Sequence, residues 1–310
     1  MKKSIGDILS DGFSLFGRMW KPLVLGFGVL NLFGAVPGWA FSLGQEKLYA
    51  SLAAEASPGM SSLLKALPAL QLIVAGGFMA VIVYVLAYNF AIAMAQSTFM
   101  ARDPQNVGEV TAFSFRLFFP AMGSLGWFGL VYLVPITLFC LSLFFAYQGF
   151  QGGGWAGAVA LFVAAFGIRL MCAPFLLLVC IVPVSIGRQG REALKKALEF
   201  VGENVGELMV MALIVLGITL GGALLSTILE APLPSAPDNV SMNDVLGMNS
   251  KTAIDMLLKP SAEPFWSSTV KLLIEVGTSV LAQALSVCLV ATWFCTRTGV
   301  SPEAWPKISA

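Results

Sequence analysis

The chain has 310 residues, of which 57% are apolar and 11% charged, and its formal net charge is +1. A soluble domain carries about 25% charged residues, and a soluble core of this size needs far more polar surface to cover it. The composition therefore places the chain in the membrane class. With no basic tail or stripe, it gives no case for a nucleic-acid partner.

The chain has no histidine, which removes the commonest general base and a common metal ligand. Its five cysteines, Cys140, Cys172, Cys180, Cys288 and Cys295, lie inside apolar runs and form no CxxC pair. They read as small buried hydrophobes, not as a disulfide framework. No glycine-rich loop leads into Lys-Ser or Lys-Thr, so a Walker-type phosphate site is absent. Ser, Lys and acidic residues form no nucleophile motif. The sequence thus predicts no catalytic residue, no cofactor and no metal, and the expected class is not an enzyme.

Met1-Lys2-Lys3 is followed by alternating apolar and charged positions, not by the continuous apolar core of a signal peptide. The pattern there is amphipathic. Ile5, Ile8, Leu9, Phe13, Phe16 and Trp20 share one helical face, which suits a helix lying in the membrane interface. Ser4-x-x-Asp7 supplies a helix-start signature.

About twenty apolar residues cross a hydrocarbon core, and six stretches reach that length: residues 23–43, 69–99, 124–147, 155–185, 207–229 and 266–296. The second, fourth and sixth exceed what a straight crossing needs, and Pro174 and Pro183 offer kink points in the fourth. Lysine and arginine favour one side. Lys2, Lys3, Arg18, Lys21, Arg102, Arg116, Arg188, Arg191, Lys195, Lys196, Arg297 and Lys307 face Lys47, Lys65, Lys251 and Lys259, twelve against four. The positive-inside rule then puts both termini in the cytoplasm of a bacterial inner (cytoplasmic) membrane. The outer loops fall at 44–68, 148–154 and 230–264, the last with a short helix expected over 242–258.

A threefold internal repeat is expected from the same pattern. Shifted by 102 residues, the amphipathic face becomes Val107, Val110, Thr111, Phe115, Phe118 and Met122, with Asn106-x-x-Glu109 in the capping slot. Shifted by 185, it becomes Gly190, Ala193, Leu194, Leu198, Val201 and Val205, with Gln189-x-x-Glu192. Each copy precedes a hairpin of two spans. The fold class is therefore an all-α membrane protein of six transmembrane helices, in three tandem repeats of amphipathic elbow helix plus transmembrane hairpin. The repeat units cover approximately 1–103, 104–187 and 188–310 of a single polytopic domain. Two spans per unit relate the copies by an axis along the membrane normal.

The opening Ser4-Ile5-Gly6-Asp7-Ile8-Leu9-Ser10-Asp11-Gly12-Phe13-Ser14-Leu15-Phe16, with Val107-Gly108-Glu109-Val110, resembles the repeated element of a loose bacterial group. That group includes the membrane domain of glycerophosphodiester phosphodiesterases and YciC-like inner-membrane proteins. The soluble phosphodiesterase domain and its metal ligands are absent from this sequence. The resemblance implies architecture and location, not hydrolysis.

Ionisable residues within a span are costly and mark candidate sites. Arg169 lies near the middle of the fourth span, and Lys271 and Glu275 in the outer half of the sixth. An Arg169–Glu275 pair is one reading. Lys271 and Glu275 satisfying each other at i, i+4 is another, and Arg169 snorkelling to a carbonyl or lipid phosphate is a third. Tyr84, Tyr88, Asn89 and Gln96 make the second span polar, for helix–helix hydrogen bonding or a hydrated pathway. Gly34-x-x-x-Gly38, Gly153-x-x-x-Gly157 and Gly217-x-x-x-Gly221 permit close helix contact within the chain or between subunits. The functional expectation is a non-enzymatic scaffold or subunit of a membrane assembly that interacts with lipid. Its partners are membrane lipids and a homo-oligomer or partner membrane protein. The alternative is a transporter or channel with a pathway near Arg169 and Glu275.

Overall fold

The computed structural model describes residues 3–53, 60–101, 107–152, 155–186, 190–233 and 265–299. Every regular element among them is an α-helix: α1 (Ile5–Ala53), α2 (Met60–Ala101), α3 (Val107–Arg116), α4 (Phe118–Gly152), α5 (Trp155–Ile186), α6 (Gly190–Glu203), α7 (Val205–Glu230) and α8 (Phe265–Thr298). Six are long and apolar enough to cross a membrane, over Ile5–Gln45, Leu67–Phe99, Phe118–Ser142, Val159–Pro183, Val205–Glu230 and Thr269–Thr298. By length and composition the chain is a multi-pass membrane protein, and each of the six expected stretches lies on one of these helices.

The start of α1 has the capping geometry expected from Ser4-x-x-Asp7. Ser4 Oγ accepts from the Asp7 backbone N–H at 3.2 Å, and Asp7 Oδ2 accepts from the Ser4 N–H at 3.1 Å. Two donors at the helix N-terminus are satisfied reciprocally. Asn106 and Gln189, which hold the equivalent slots, lie outside the described residues, as does the helix expected over 242–258.

Two expectations need correcting. First, α1 runs without a break from the amphipathic segment into the apolar one, through Pro22 and Pro37. Each proline removes one intrahelical hydrogen bond, and the helix continues past both. The expected elbow and first span are thus one helix, which continues to Ala53 and takes up part of the expected first outer loop. Elsewhere the boundary is real. Asn204 divides α6 from α7: its side-chain Nδ2 donates to the Phe200 carbonyl at 2.8 Å, and its own carbonyl accepts from the Leu208 N–H at 2.9 Å. Leu117 marks a turn between α3 and α4. Second, the buried face of α1 is Ile8, Leu15, Met19, Leu23 and Phe27, while Phe13 and Trp20 are exposed. A membrane helix has apolar surroundings on both sides, so its apolar stripe is wider than the part that packs on protein.

The chain forms two compact units. The first comprises residues 1–27, 85–222 and 280–310. Its heart is made by the last turns of α2, α5 and α8, where Ala87, Ala91, Ala93, Leu178, Val179, Val287 and Ala291 are almost wholly buried. Small residues let the backbones approach. A Cβ added to Gly12 would meet Leu289 Cδ2 at 2.7 Å, so α1 packs on α8 there. Gly26 faces the Phe90 ring, and Phe27 meets Tyr88 edge-on at 5.5 Å. The α4–α5 hairpin is antiparallel, with Phe128 against Phe175 and Phe139 against Phe162. The amphipathic helix α6 packs on this hairpin. Its first N–H, at Gly190, donates to Ser124 Oγ on α4 at 3.1 Å. Gly190 has φ +54°, which a glycine adopts without strain.

The second unit comprises residues 28–84 and 223–279. Here α1 and α2 meet almost backbone to backbone, through Gly44 against Ile73 and Gly76 against Phe41 and Pro37. Val29, Phe33, Val36 and Trp39 on α1 and Val74 and Phe78 on α2 are exposed. In water such apolar surface would aggregate. In a bilayer it is the surface that contacts lipid.

Candidate functional site

The residues singled out by sequence are distributed over both compact units. Arg169 lies on α5 in the first unit, exposed, with no hydrogen-bond or ion-pair partner among the described residues. Glu275 and Lys271 lie on α8 in the second unit, Glu275 exposed and Lys271 half-buried. Tyr84 belongs to the second unit and is exposed, whereas Tyr88, Asn89 and Gln96 are buried in the first. Along α2 the polar side chains thus pass from exposed at Tyr84 to buried from Tyr88 onward.

Arg169 stands at one end of a groove between α4 and α5. The groove encloses about 440 Å³ and is lined mainly by Tyr132, Pro135 and Phe139 from α4 and by Phe162, Phe166 and Arg169 from α5. No carboxylate lines it. The ring contacts that fix the hairpin register put Tyr132 level with Arg169 and Phe139 level with Phe162. One end of the groove thus carries a guanidinium and a phenol, and the other is aromatic throughout. Phe139, Phe162 and Phe166 are exposed, so the groove is open along the side of the hairpin. A volume of this order is typical of small-molecule sites.

Asn89 is the second notable polar group. Its side chain is fully buried, and neither its amide nitrogen nor its oxygen has a partner among the described residues. Thr98 and Thr292 are also fully buried, with hydroxyls that have no partner among the described residues. Gln96 Nε2 contacts Cys295 Sγ at 3.9 Å, between α2 and α8. Four of the five cysteines are buried, as expected of small hydrophobes, while Cys140 is exposed.

Sequence reasoning missed a bidentate, largely buried ion pair among the described residues. Arg297 at the end of α8 grips Glu207 at the start of α7 with two parallel hydrogen bonds, Nε to Oε2 at 2.8 Å and Nη2 to Oε1 at 2.6 Å. Trp293 Nε1 donates to the same Oε2 at 2.7 Å. The Arg297 side chain is 6% exposed and that of Glu207 21%. The Trp293 ring packs edge-on against Phe200 of α6 at 4.9 Å. A planar fork meeting a carboxylate is the geometry in which arginine outperforms lysine. The signal was available: α7 begins with an acid and α8 ends with a base, and a hairpin brings those two ends together. Reading Arg297 only as a topology charge concealed it.

Compared with known protein families, known proteins and solved structures, the chain shows no match. Its function has to be argued from these groups alone. The Glu207–Arg297 pair is satisfied and closed, which suits a structural lock. The Arg169 groove is open and its charge unpaired, which suits binding.

Proposed function

We propose that the chain is a non-enzymatic multi-pass component of a bacterial inner membrane, with both termini cytoplasmic. It serves as a scaffold or subunit of a membrane assembly and interacts with lipid. The observation that carries the reading is the glycine face of α7. Gly217 and Gly221 are exposed, and a Cβ on either would meet nothing within 4 Å. Small residues four apart in a span are a means of close contact between membrane helices, and among the described residues nothing makes that contact.

The threefold repeat belongs to the same proposal, supported by the burial pattern. Ile8, Val110 and Ala193, related by the shifts of 102 and 185, are all buried. So are Leu15, Leu117 and Phe200, and so are the small residues Gly12, Ser114 and Ala197. Phe13, Phe115 and Leu198 are all exposed. A shared amphipathic period alone would not align small with small and exposed with exposed. The first amphipathic segment packs on α8 of the third copy, and α6 of the third copy packs on α4 of the second.

Native mass spectrometry of the full chain, released from its own membrane in mild detergent, tests the function. Fixed multiples or a reproducible protein companion are expected, and Gly217→Leu should abolish them. A bare monomer under the mildest conditions would overturn the assembly reading.

The transporter alternative draws support from Asn89, because an amide buried without a partner is rarely kept for stability. Asn89→Leu separates the two. In a sealed scaffold core it should raise the unfolding temperature, since it removes an unsatisfied polar group worth about 1–3 kcal/mol. A lower unfolding temperature would mean that the amide is solvated by a pathway.

A further inference from the structure

We infer that the α4–α5 groove docks the α8 helix of a second copy of this chain, with Arg169 of one copy paired to Glu275 of the other. The inference rests on the assembly part of the reading above and names the partner and a contact.

Two charges face outward from apolar spans. Arg169 is exposed on α5 within Val159–Pro183, and Glu275 is exposed on α8 within Thr269–Thr298. Neither side chain has a hydrogen-bond or ion-pair partner among the described residues. An ionised group facing lipid is costly, and pairing two of opposite sign relieves both. Their neighbours do not supply the pairing. The groove beside Arg169 has no carboxylate in its lining. Lys271 stands four residues before Glu275, but a lysine on the N-terminal side of an acid is the poorer order for such a pair, and Lys271 has a contact of its own.

Depth brings the two charges to similar levels. In a chain of six alternating crossings α5 and α8 run in the same direction, so Val159 and Thr269 begin their spans on the same side of the membrane. At a rise of about 1.5 Å per residue, Arg169 lies about 15 Å and Glu275 about 9 Å inside those ends. Side chains on a helix lean toward its N-terminus. Arginine is the longer of the two, so its guanidinium covers much of the difference. Phe162 and Leu272 then stand level, each three residues inside its span.

Shape agrees with charge. The groove runs from Arg169 past Phe166 to the Phe139–Phe162 level, about 10 Å or close to two helical turns. Leu272 is exposed on α8, nearly one turn from Glu275 in the same direction. Docked, α8 therefore presents an acid at the arginine end of the groove and an apolar side chain at its aromatic end. A second copy has this acid at a matching depth without further adjustment, because every copy crosses the membrane in the same way. In a bilayer apolar faces gain little by leaving lipid for each other. The groove thus fixes the register, and the ion pair supplies the preference for this helix.

Site-directed photocrosslinking of the full-length chain in its own membrane tests the contact. p-Benzoylphenylalanine replaces Phe162, denaturing electrophoresis separates the products, and peptide mass spectrometry maps the adduct. The expected result is a covalent product of twice the chain mass, with the adduct on the turn of α8 around Leu272. Arg169→Gln and Glu275→Gln should each remove it. Co-expression then separates a lost contact from a misfolded variant. A probe-bearing copy with Glu275→Gln and a probe-free copy with Arg169→Gln retain one intact pair, from Arg169 of the first to Glu275 of the second, and the adduct should return. An internal adduct in a product of single-chain mass would place the pair within one chain, and an adduct on another protein would assign a different partner. Either outcome overturns the proposal, as does an adduct that survives Glu275→Gln, a failure of the co-expressed copies to restore it, or no protein adduct at all. Native mass spectrometry reads the assembly itself. Fixed multiples without this adduct would overturn the contact and leave the assembly reading standing, whereas a bare monomer would overturn both.

Discussion

Glu207→Ala is expected to be among the most destabilising single changes on the surface of the helices, by about 3–5 kcal/mol. The cost does not come mainly from the lost attraction. It comes from leaving Arg297, whose side chain is 6% exposed, as a charge with neither partner nor full hydration. Trp293 loses its acceptor at the same time, and an indole N–H left unpaired in an apolar setting adds to the loss. Thermal unfolding of the purified protein in detergent reads the effect. The double variant Glu207→Ala with Arg297→Met should recover much of it, because removing both partners leaves no orphaned charge. Glu207→Ala unfolding within a degree or two of the parent protein would show that the pair is an ordinary surface contact, which contributes about 0–1 kcal/mol. So would strictly additive losses in the double variant.

The same contact explains what was and was not legible in the sequence. The six spans followed from composition, because twenty apolar residues in a row have few uses outside a membrane. The start of α1 followed from Ser4 and Asp7, a local device that acts within four residues. The burial of Ile8 and the exposure of Phe13 did not follow. Both are apolar on an amphipathic helix, and only the position of Leu289 and its neighbours decides which one packs. Arg169 was identifiable because a charge within an apolar run is anomalous by itself. Its groove was not, since that depends on the register of α4 against α5, which is set by Phe128, Phe139, Phe162 and Phe175 out of 23 phenylalanines that the sequence alone does not tell apart. Glu207 and Arg297 are 90 residues apart in sequence, and each looks ordinary alone.

Glycines show the same limit, and they carry the last prediction. The motif Gly34-x-x-x-Gly38 stands out in the sequence, yet a Cβ on Gly38 would meet nothing within 4 Å. The glycines that make the close approach are Gly44 and Gly76, outside any such motif. A Cβ on Gly76 would come 2.7 Å from the Phe41 nitrogen and 2.8 Å from the Pro37 oxygen. Both are backbone atoms of α1, so the clash cannot be relieved by a rotamer change. The two helices would have to part. Gly76→Val should therefore cost about 3 kcal/mol through overpacking. Gly38→Ala should be neutral or stabilising by up to about 1 kcal/mol, since alanine is the better helix former. Opposite signs are expected from two glycine replacements in one helix pair, measured side by side by thermal unfolding. Destabilisation by Gly38→Ala as large as that by Gly76→Val would mean that the α1–α2 contact runs through the motif, and that the backbone approach at Gly76 is not what holds this pair together.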